Sequence, residues 1–295
     1  MKGKTNTQTA EHARAIKGAT RLFTTRTFRA ILDGRNSSET RQIMDDLKSL
    51  LGLNNGATNE EVINAAYSFL CEHHRNEYVY KNLLASKIFV GRHRAANSAL
   101  INEFSIGSAV ADTALFNGRA TAYEIKTELD SPAKLPRQIA QYYRAFTTVY
   151  VVAHENVAAS YLDQIKNSPA GLISVGSRWR LSTLKPAQER HESLATEPMF
   201  NTLRVREVDA TLRHLGHNPH EGPNGLRYQY NLEVAKSIPV QEFQQAWTST
   251  IRARRVGSRT DLLRDPRLFP LRSLLAQLNP RTDQANLLLQ WLSKG

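Results

Sequence analysis

Residues 110–126 read VADTALFNGRATAYEIK, and the fold turns on how they pair. The runs "VADTALF" and "ATAYEIK" are strand-like, and Asn117-Gly118 between them is the strongest short-range hairpin signal. In the second run Tyr123 and Ile125 alternate with Glu124 and Lys126, which is the period of a strand. A carboxylate and an ammonium therefore share one strand face. On a solvated face they would form a plain ion pair, worth about 0–1 kcal/mol. A tripeptide this short matches often by chance, so its meaning has to come from the surroundings.

The loop decides whether Asp112 can join that face. A two-residue Asn117-Gly118 loop pairs Phe116 with Arg119 and Asp112 with Tyr123, and Glu124 then faces away. A three-residue loop, Phe116-Asn117-Gly118 with Gly118 left-handed, pairs Leu115 with Arg119 and Asp112 with Ala122. Asp112 and Glu124 then lie diagonally on one face, with Cα atoms about 7–8 Å apart. The odd loop is the expectation.

Around the hairpin the pattern is mixed. "SPAKLPRQIAQYYRAF" reads as a helix with its prolines at the start, where a missing N–H costs little. "TTVYVVA" and "LISVG" read as buried strands on either side of a helix, "ENVAASYLDQIKNSPAG". A helix over "RAANSALIN" leads to Glu103. The order α-β-β-α-β-α-β over residues 93–176 is α/β (α+β), a mixed sheet flanked by helices. The segments "SSETRQIMDDLKSLLGL" and "TNEEVINAAYSFLCEHHRNEYVYKNLLASKIF" read as helices, the first capped by Ser37 or Ser38 and ended by Gly52, the second capped by Thr58 or Asn59. After Arg178 the chain reads as mostly helical, broken at "GHNPHEGPNG". The expected organisation is a helical region 1–92, a core 93–180 and a mainly helical region 181–295.

A chain of 295 residues buries a sizeable core, and its length suggests about two domains. Its one cysteine, Cys71, excludes an internal disulfide and fits a reducing compartment. No apolar run is long enough to span a membrane, and the polar N-terminus lacks a secretory h-region. A cytoplasmic protein is expected, and a homo-oligomer is compatible. Net charge is +12, divided as +6 over residues 1–100, −1 over 101–176 and +7 over 177–295. Basic flanks around a neutral middle are the footprint of a polyanion binder. Arg252, Arg254, Arg255 and Arg259 in "IRARRVGSR" are the expected phosphate contacts. Each one lost would lower the slope of log K against log salt by about one unit.

The acids carry the chemistry. Asp112 opens the first hairpin strand and Glu124 closes the second. Hard divalent cations such as Mg²⁺ take carboxylate oxygens, often one or two together with waters and substrate phosphates. A lysine sharing the face of the second acid can reach the attacking water or the phosphate. That set suits phosphodiester hydrolysis, with a metal-bound water as nucleophile and cations stabilising the charge that builds. "VAD", then "YEIK" twelve residues on, then "RQIAQYY" on the next helix, resembles the PD-(D/E)XK nuclease superfamily and a bacterial family of small stand-alone members within it. Ala111 stands where the motif's proline would be.

The resemblance spans about residues 80–180 and implies a restriction-endonuclease-like core with Mg²⁺-dependent (or Mn²⁺-dependent) cleavage of DNA in a bacterial or phage setting. It implies Asp112, Glu124 and Glu103 as metal ligands and Lys126 as the catalytic cation. It sets Asp130 beside them, while Gln138 and Tyr142 would hold a phosphate or brace the lysine. Read as structure alone, Asp130 caps the following helix and Tyr142 packs a helix on the sheet. Two other readings stand beside a DNA nuclease: a non-catalytic nucleic-acid-binding module, and an RNA endonuclease. Zinc is not expected: His214, His217 and His220 fall in a Pro/Gly turn, and "CEHH" brings only one cysteine.

Overall fold

The hairpin forms with an odd loop, as sharing a face requires. In the computed structural model, which describes residues 2–35, 37–91, 97–128, 130–255 and 260–295, Phe116 pairs with Ala120 and Thr113 with Tyr123. The loop is Asn117-Gly118-Arg119, one residue later than expected. It is closed by the Asn117 N–H on the Arg119 carbonyl at 3.1 Å. Gly118 has φ 96°, where an L-residue would be strained. The shift of one pair matters: continuing the register sets Asp112 directly opposite Glu124 rather than opposite Ala122.

The hairpin belongs to a six-stranded mixed sheet, ordered as in the sequence: β1 (Ala99–Ile106), β2 (Ala109–Phe116), β3 (Ala120–Lys126), β4 (Thr148–His154), β5 (Gly171–Val175) and β6 (Leu181–Lys185). β3, β4 and β5 run parallel, and the outer pairs are antiparallel. The fold is therefore α+β, with two departures from the expected order. The residues expected to end a helix before Glu103 form β1 from Ala99 onward; residues 92–96 lie outside the described residues. β6 is an added edge strand.

The chain divides into two compact units, residues 1–92 with 257–295, and residues 93–256. The expected C-terminal region 181–295 is not one body, because residues 181–256 complete the sheet unit and 257–295 join the N-terminal helices.

The helical unit holds α1 (Lys2–Leu22), α2 (Thr25–Leu32), α3 (Ser38–Leu50), α4 (Asn59–His73) and α5 (Glu77–Leu84). Ser37 caps α3, and Thr58 with Glu61 forms a capping box on α4. The expected long helix over residues 58–89 breaks after His73, and Asn76 caps a second start. Buried Asn82 clamps the C-terminal piece, donating to the Phe269 carbonyl and accepting the Ser273 N–H, each at 2.9 Å. Burial pushes the Cys71 thiol up to about 11, which keeps it protonated at neutral pH.

In the sheet unit, α6 (Leu135–Tyr142) connects β3 to β4 and α7 (Glu155–Gln164) connects β4 to β5. Then follow α8 (Thr196–Phe200), α9 (Val205–His214), α10 (Asn224–Ser237) and α11 (Val240–Ala253), while α12 (Thr260–Arg264), α13 (Arg272–Leu278) and α14 (Thr282–Leu292) return to the helical unit. Ala122, Val149, Val151 and Leu172 share a core with Leu135, Ile139, Tyr161 and Trp247. Glu124 and Lys126 alternate in step with Ala122, so they point into this helix-covered side. No helix among the described residues is long and apolar enough to cross a membrane.

Candidate active site

β2 and β3 part company where the acids begin. Their ladder ends at Thr113↔Tyr123. Beyond it, residues 109–111 of β2 pair only with β1, and Glu124 to Lys126 only with β4. A split ladder leaves backbone groups that must find partners. Asp112 supplies one: its Oδ2 accepts the Ile125 N–H at 2.6 Å. Tyr142 supplies another, its hydroxyl lying 2.8 Å from the Val110 carbonyl. The cleft between the strands is thus lined by the residues that compensate for it.

Glu124 and Lys126 are buried, at 2% and 6% exposure, so they are not a solvated surface pair. Lys126 Nζ donates to Glu124 Oε1 at 2.7 Å and to Gln138 Oε1 at 3.1 Å. Gln138 Nε2 donates to the same Glu124 oxygen at 2.6 Å, and the Tyr142 hydroxyl meets Glu124 Oε2. Gln138 and Tyr142 lie one helical turn apart, so one face of α6 grips both ends of the pair. Tyr142 has no exposed surface. It cannot touch a nucleic acid, and the expected phosphate-holding role gives way to bracing the carboxylate. Burial, and then the neighbouring Glu124 charge, push its phenol far above the usual range, which keeps it a donor. Tyr142→Phe should cost about 1–3 kcal/mol, the penalty for orphaning buried acceptors; an unchanged urea midpoint would show that the hydroxyl holds nothing.

Glu103 sits on β1, not after a helix. Asn102↔Thr113 and Phe104↔Ala111 bracket it opposite Asp112, so Glu103, Asp112 and Glu124 fall in one row across three strands. Yet Glu103 has φ 55° and is exposed, and among the described residues no three His, Cys, Asp or Glu side chains gather into a group that could hold a metal ion. The expected three-acid ligand set is not assembled. Asp130 does not cap α6, which has no side-chain cap; it closes the turn after β3, its Oδ2 accepting the Thr127 N–H and hydroxyl at 2.7 Å each.

The arginine cluster reads differently in three dimensions. Arg254 bonds Glu207 through two nitrogens, at 2.8 and 2.6 Å, and the Thr202 carbonyl at 2.7 Å. Its guanidinium is committed within the fold and is not a phosphate contact. Arg252 and Arg255 are half-buried, and Arg259 lies outside the described residues. Burial pushes the Glu207 carboxyl up, but the bonds from Arg254 outweigh it and leave the group below its ordinary range. Arg254→Ala should therefore cost about 1–3 kcal/mol at neutral pH. With a lowered carboxyl, that stabilisation is complete above the ordinary range and disappears as pH falls through the folded-state value. Urea curves at neutral pH and at about pH 3 should thus show the wild-type advantage shrinking in acid.

Two features carry no sequence signal strong enough to have flagged them. His154, at 7% exposure, ends β4 beside Lys126's neighbour Ala153, and its Nδ1 accepts the Asn156 N–H at 3.3 Å to cap α7. The turn Ser177–Trp179 follows β5 with Arg178 and Trp179 both left-handed. A histidine at the junction of a strand and a helix was the available signal for the first, and the cation–aromatic–cation order of Arg178-Trp179-Arg180 for the second.

No curated protein and no solved structure matches the chain. A family model described as bacteriophage P4 protein cII matches residues 71–268, about two thirds of the chain and the whole of the sheet. The chain belongs to the bacteriophage P4 cII family.

Proposed function

We propose that the protein is a metal-dependent nuclease of a phage or its bacterial host, hydrolysing phosphodiester bonds of DNA in the cleft between β2 and β3. The observation that carries this reading is the buried Glu124–Lys126 pair with Asp112 opposite it, where the strands open. A desolvated ammonium beside two carboxylates is costly unless the groups are paired and bonded, and α6 commits two side chains to holding them. Asp112 and Glu124 fit a hard divalent cation chemically, since one or two carboxylates with waters and phosphate oxygens suffice. Glu103 stands outside that set.

When bound, Mg²⁺ or Mn²⁺ would supply an acidified water for attack on phosphorus and would shield the phosphate charge. The protein's own part is orientation and charge. Lys126 offers the Nζ donor not engaged by Glu124 and Gln138 to an oxygen of the scissile phosphate, where negative charge grows. Gln138 fixes that ammonium from the other side. Tyr142 holds Glu124 Oε2, so the carboxylate cannot swing away. Asp112, half-buried, is the wet edge of the cleft.

The test is incubation of purified protein with linear, circular and single-stranded DNA and with RNA, in Mg²⁺ and in EDTA. Cutting of DNA that EDTA abolishes is expected, and cutting that persists in EDTA defeats the reading. One observation favours a non-catalytic nucleic-acid-binding module instead: both Glu124 oxygens are already engaged by protein donors. Under that reading the protein binds DNA and cuts nothing. Cutting confined to RNA would make it an RNA endonuclease.

A further inference from the structure

After β5 the chain makes a turn that L-residues rarely adopt. Arg178 (φ 59°, ψ 22°) and Trp179 (φ 58°) are consecutive left-handed residues, and neither is one of the short polar types that tolerate this region. Such conformations persist only where the surroundings over-determine them. Here Glu155 Oε1 accepts the Ser177 N–H at 3.0 Å, the Trp179 N–H bonds the Gly176 carbonyl at 3.1 Å, and the Gly176 N–H bonds the Arg180 carbonyl at 2.9 Å. A Cβ on Gly176 would lie 2.9 Å from Glu155 Oε2, so the glycine lets the carboxylate close on the turn.

What this rigid turn presents is two cations around an aromatic ring. Arg178 and Arg180 are exposed and Trp179 is half-exposed. Among the described residues neither guanidinium has an ion-pair or hydrogen-bond partner, whereas Arg254 and Arg227 in the same unit are bound to acids. The place is also informative. Lys126 pairs with Ala153, and Ala153 with Ser174, so at about 4.8 Å per strand Ser174 stands about 10 Å from Lys126. The turn begins just beyond Ser174, outside the carboxyl ends of the parallel strands, where open sheets of this kind bind ligands.

An aromatic face between uncommitted arginines suits a single-stranded polynucleotide, whose unpaired base stacks on the ring while its phosphates meet the cations. A paired base in a duplex keeps its faces covered. We propose that the Ser177–Arg180 turn is a stacking platform for an unpaired nucleotide of the substrate strand, about 10–15 Å from Lys126. This rests on the nuclease reading for the word substrate, but not for the binding itself.

Fluorescence tests it in EDTA, where the proposed chemistry is off. The chain has three tryptophans; Trp247 is fully buried and Trp291 is 9% exposed, so quenching by an added strand reports Trp179. A short oligothymidylate should quench wild-type emission, and a blunt duplex of equal length should compete poorly. Trp179→Ala should weaken oligothymidylate binding about 5- to 150-fold, the range for losing one stacked base, with Trp179→Phe retaining most of it. Arg178→Gln and Arg180→Gln should each lower the salt slope by about 0.7 for oligothymidylate, which decides the matter should Trp179→Ala fail to fold. Absent quenching, unchanged affinity in Trp179→Ala, an unchanged salt slope, or duplex bound as tightly as single strand overturns the platform. The two readings fail separately. Quenching with no cleavage in Mg²⁺ keeps the platform and removes the nuclease, while cleavage with wild-type kcat/KM in Trp179→Ala does the reverse.

Discussion

Under the proposed nuclease reading, Asp112→Asn should leave a folded protein that no longer cuts DNA. The new amide keeps an oxygen for the Ile125 N–H, which Asp112 Oδ2 accepts at 2.6 Å, so the split between β2 and β3 stays capped and stability should move by less than about 1 kcal/mol. What disappears is a negative charge in a cleft where a hard cation needs carboxylate oxygens. Cleavage should fall by about 10³-fold or more, the upper end of what one charge-stabilising partner contributes. Plasmid nicking in Mg²⁺, with circular dichroism as the folding check, measures both. Wild-type nicking by a folded Asn variant would remove Asp112 from the mechanism.

The hairpin was legible because Asn117-Gly118 and the alternation of Tyr123 and Ile125 report local geometry. Its register was legible only in parity. Either three-residue loop puts Asp112 and Glu124 on one side, and nothing in the sequence says whether Phe116 belongs to the loop or to the strand. Burial decides it: Phe116 is fully buried against Phe146 and Trp247, a contact as distant in sequence as residue 247. β1 was hidden for a related reason. Ala99 is in the sheet core and Ile101 packs against it, but after the left-handed Glu103 the inward residues are Phe104 and Ile106. A strand that changes parity midway has no period of two, and its apolar residues mimic a helical spacing. β6 is an edge strand with its central residues exposed, so it has no apolar pattern to read.

For the site, the residue types were legible and their burial was not. Asp112, Glu124, Lys126, Gln138 and Tyr142 do come together, because strand alternation and an i,i+4 pair are local rules. Whether Tyr142 faced ligand or protein depended on how α6 lies across the β2–β3 split, which no local rule states. The arginine cluster failed in the opposite way. Charge counting treats every guanidinium alike, but Arg254 meets Glu207, 47 residues earlier. The useful distinction between committed and uncommitted arginines appears only with the partners in place.

Burial also changes what the Glu124–Lys126 pair can be asked to show. Lys126→Met should cost about 3–5 kcal/mol, since it leaves a carboxylate buried without its counter-charge, and it should abolish cleavage. Loss of activity in that variant alone is ambiguous, because a misfolded cleft would also be dead. The double variant Glu124→Gln/Lys126→Met separates the causes. Replacing a whole buried pair by neutral groups of similar volume is often neutral or even stabilising, and the amide introduced at position 124 could donate to the Tyr142 hydroxyl while that hydroxyl bonds the Val110 carbonyl. Urea midpoints should therefore run wild type, then the double variant close behind it, then Lys126→Met far below. If the pair is only a tie between β3 and α6, the double variant recovers activity together with stability. If Lys126 acts on the phosphate and Glu124 on the cation, the double variant is nearly as stable as wild type and cuts at least about 10³-fold more slowly. Lys126→Arg supplies the complementary result: it keeps the positive charge, but a planar fork has no room where a compact ammonium sits 2.7 Å from Glu124 and 3.1 Å from Gln138, so it should rescue neither quantity.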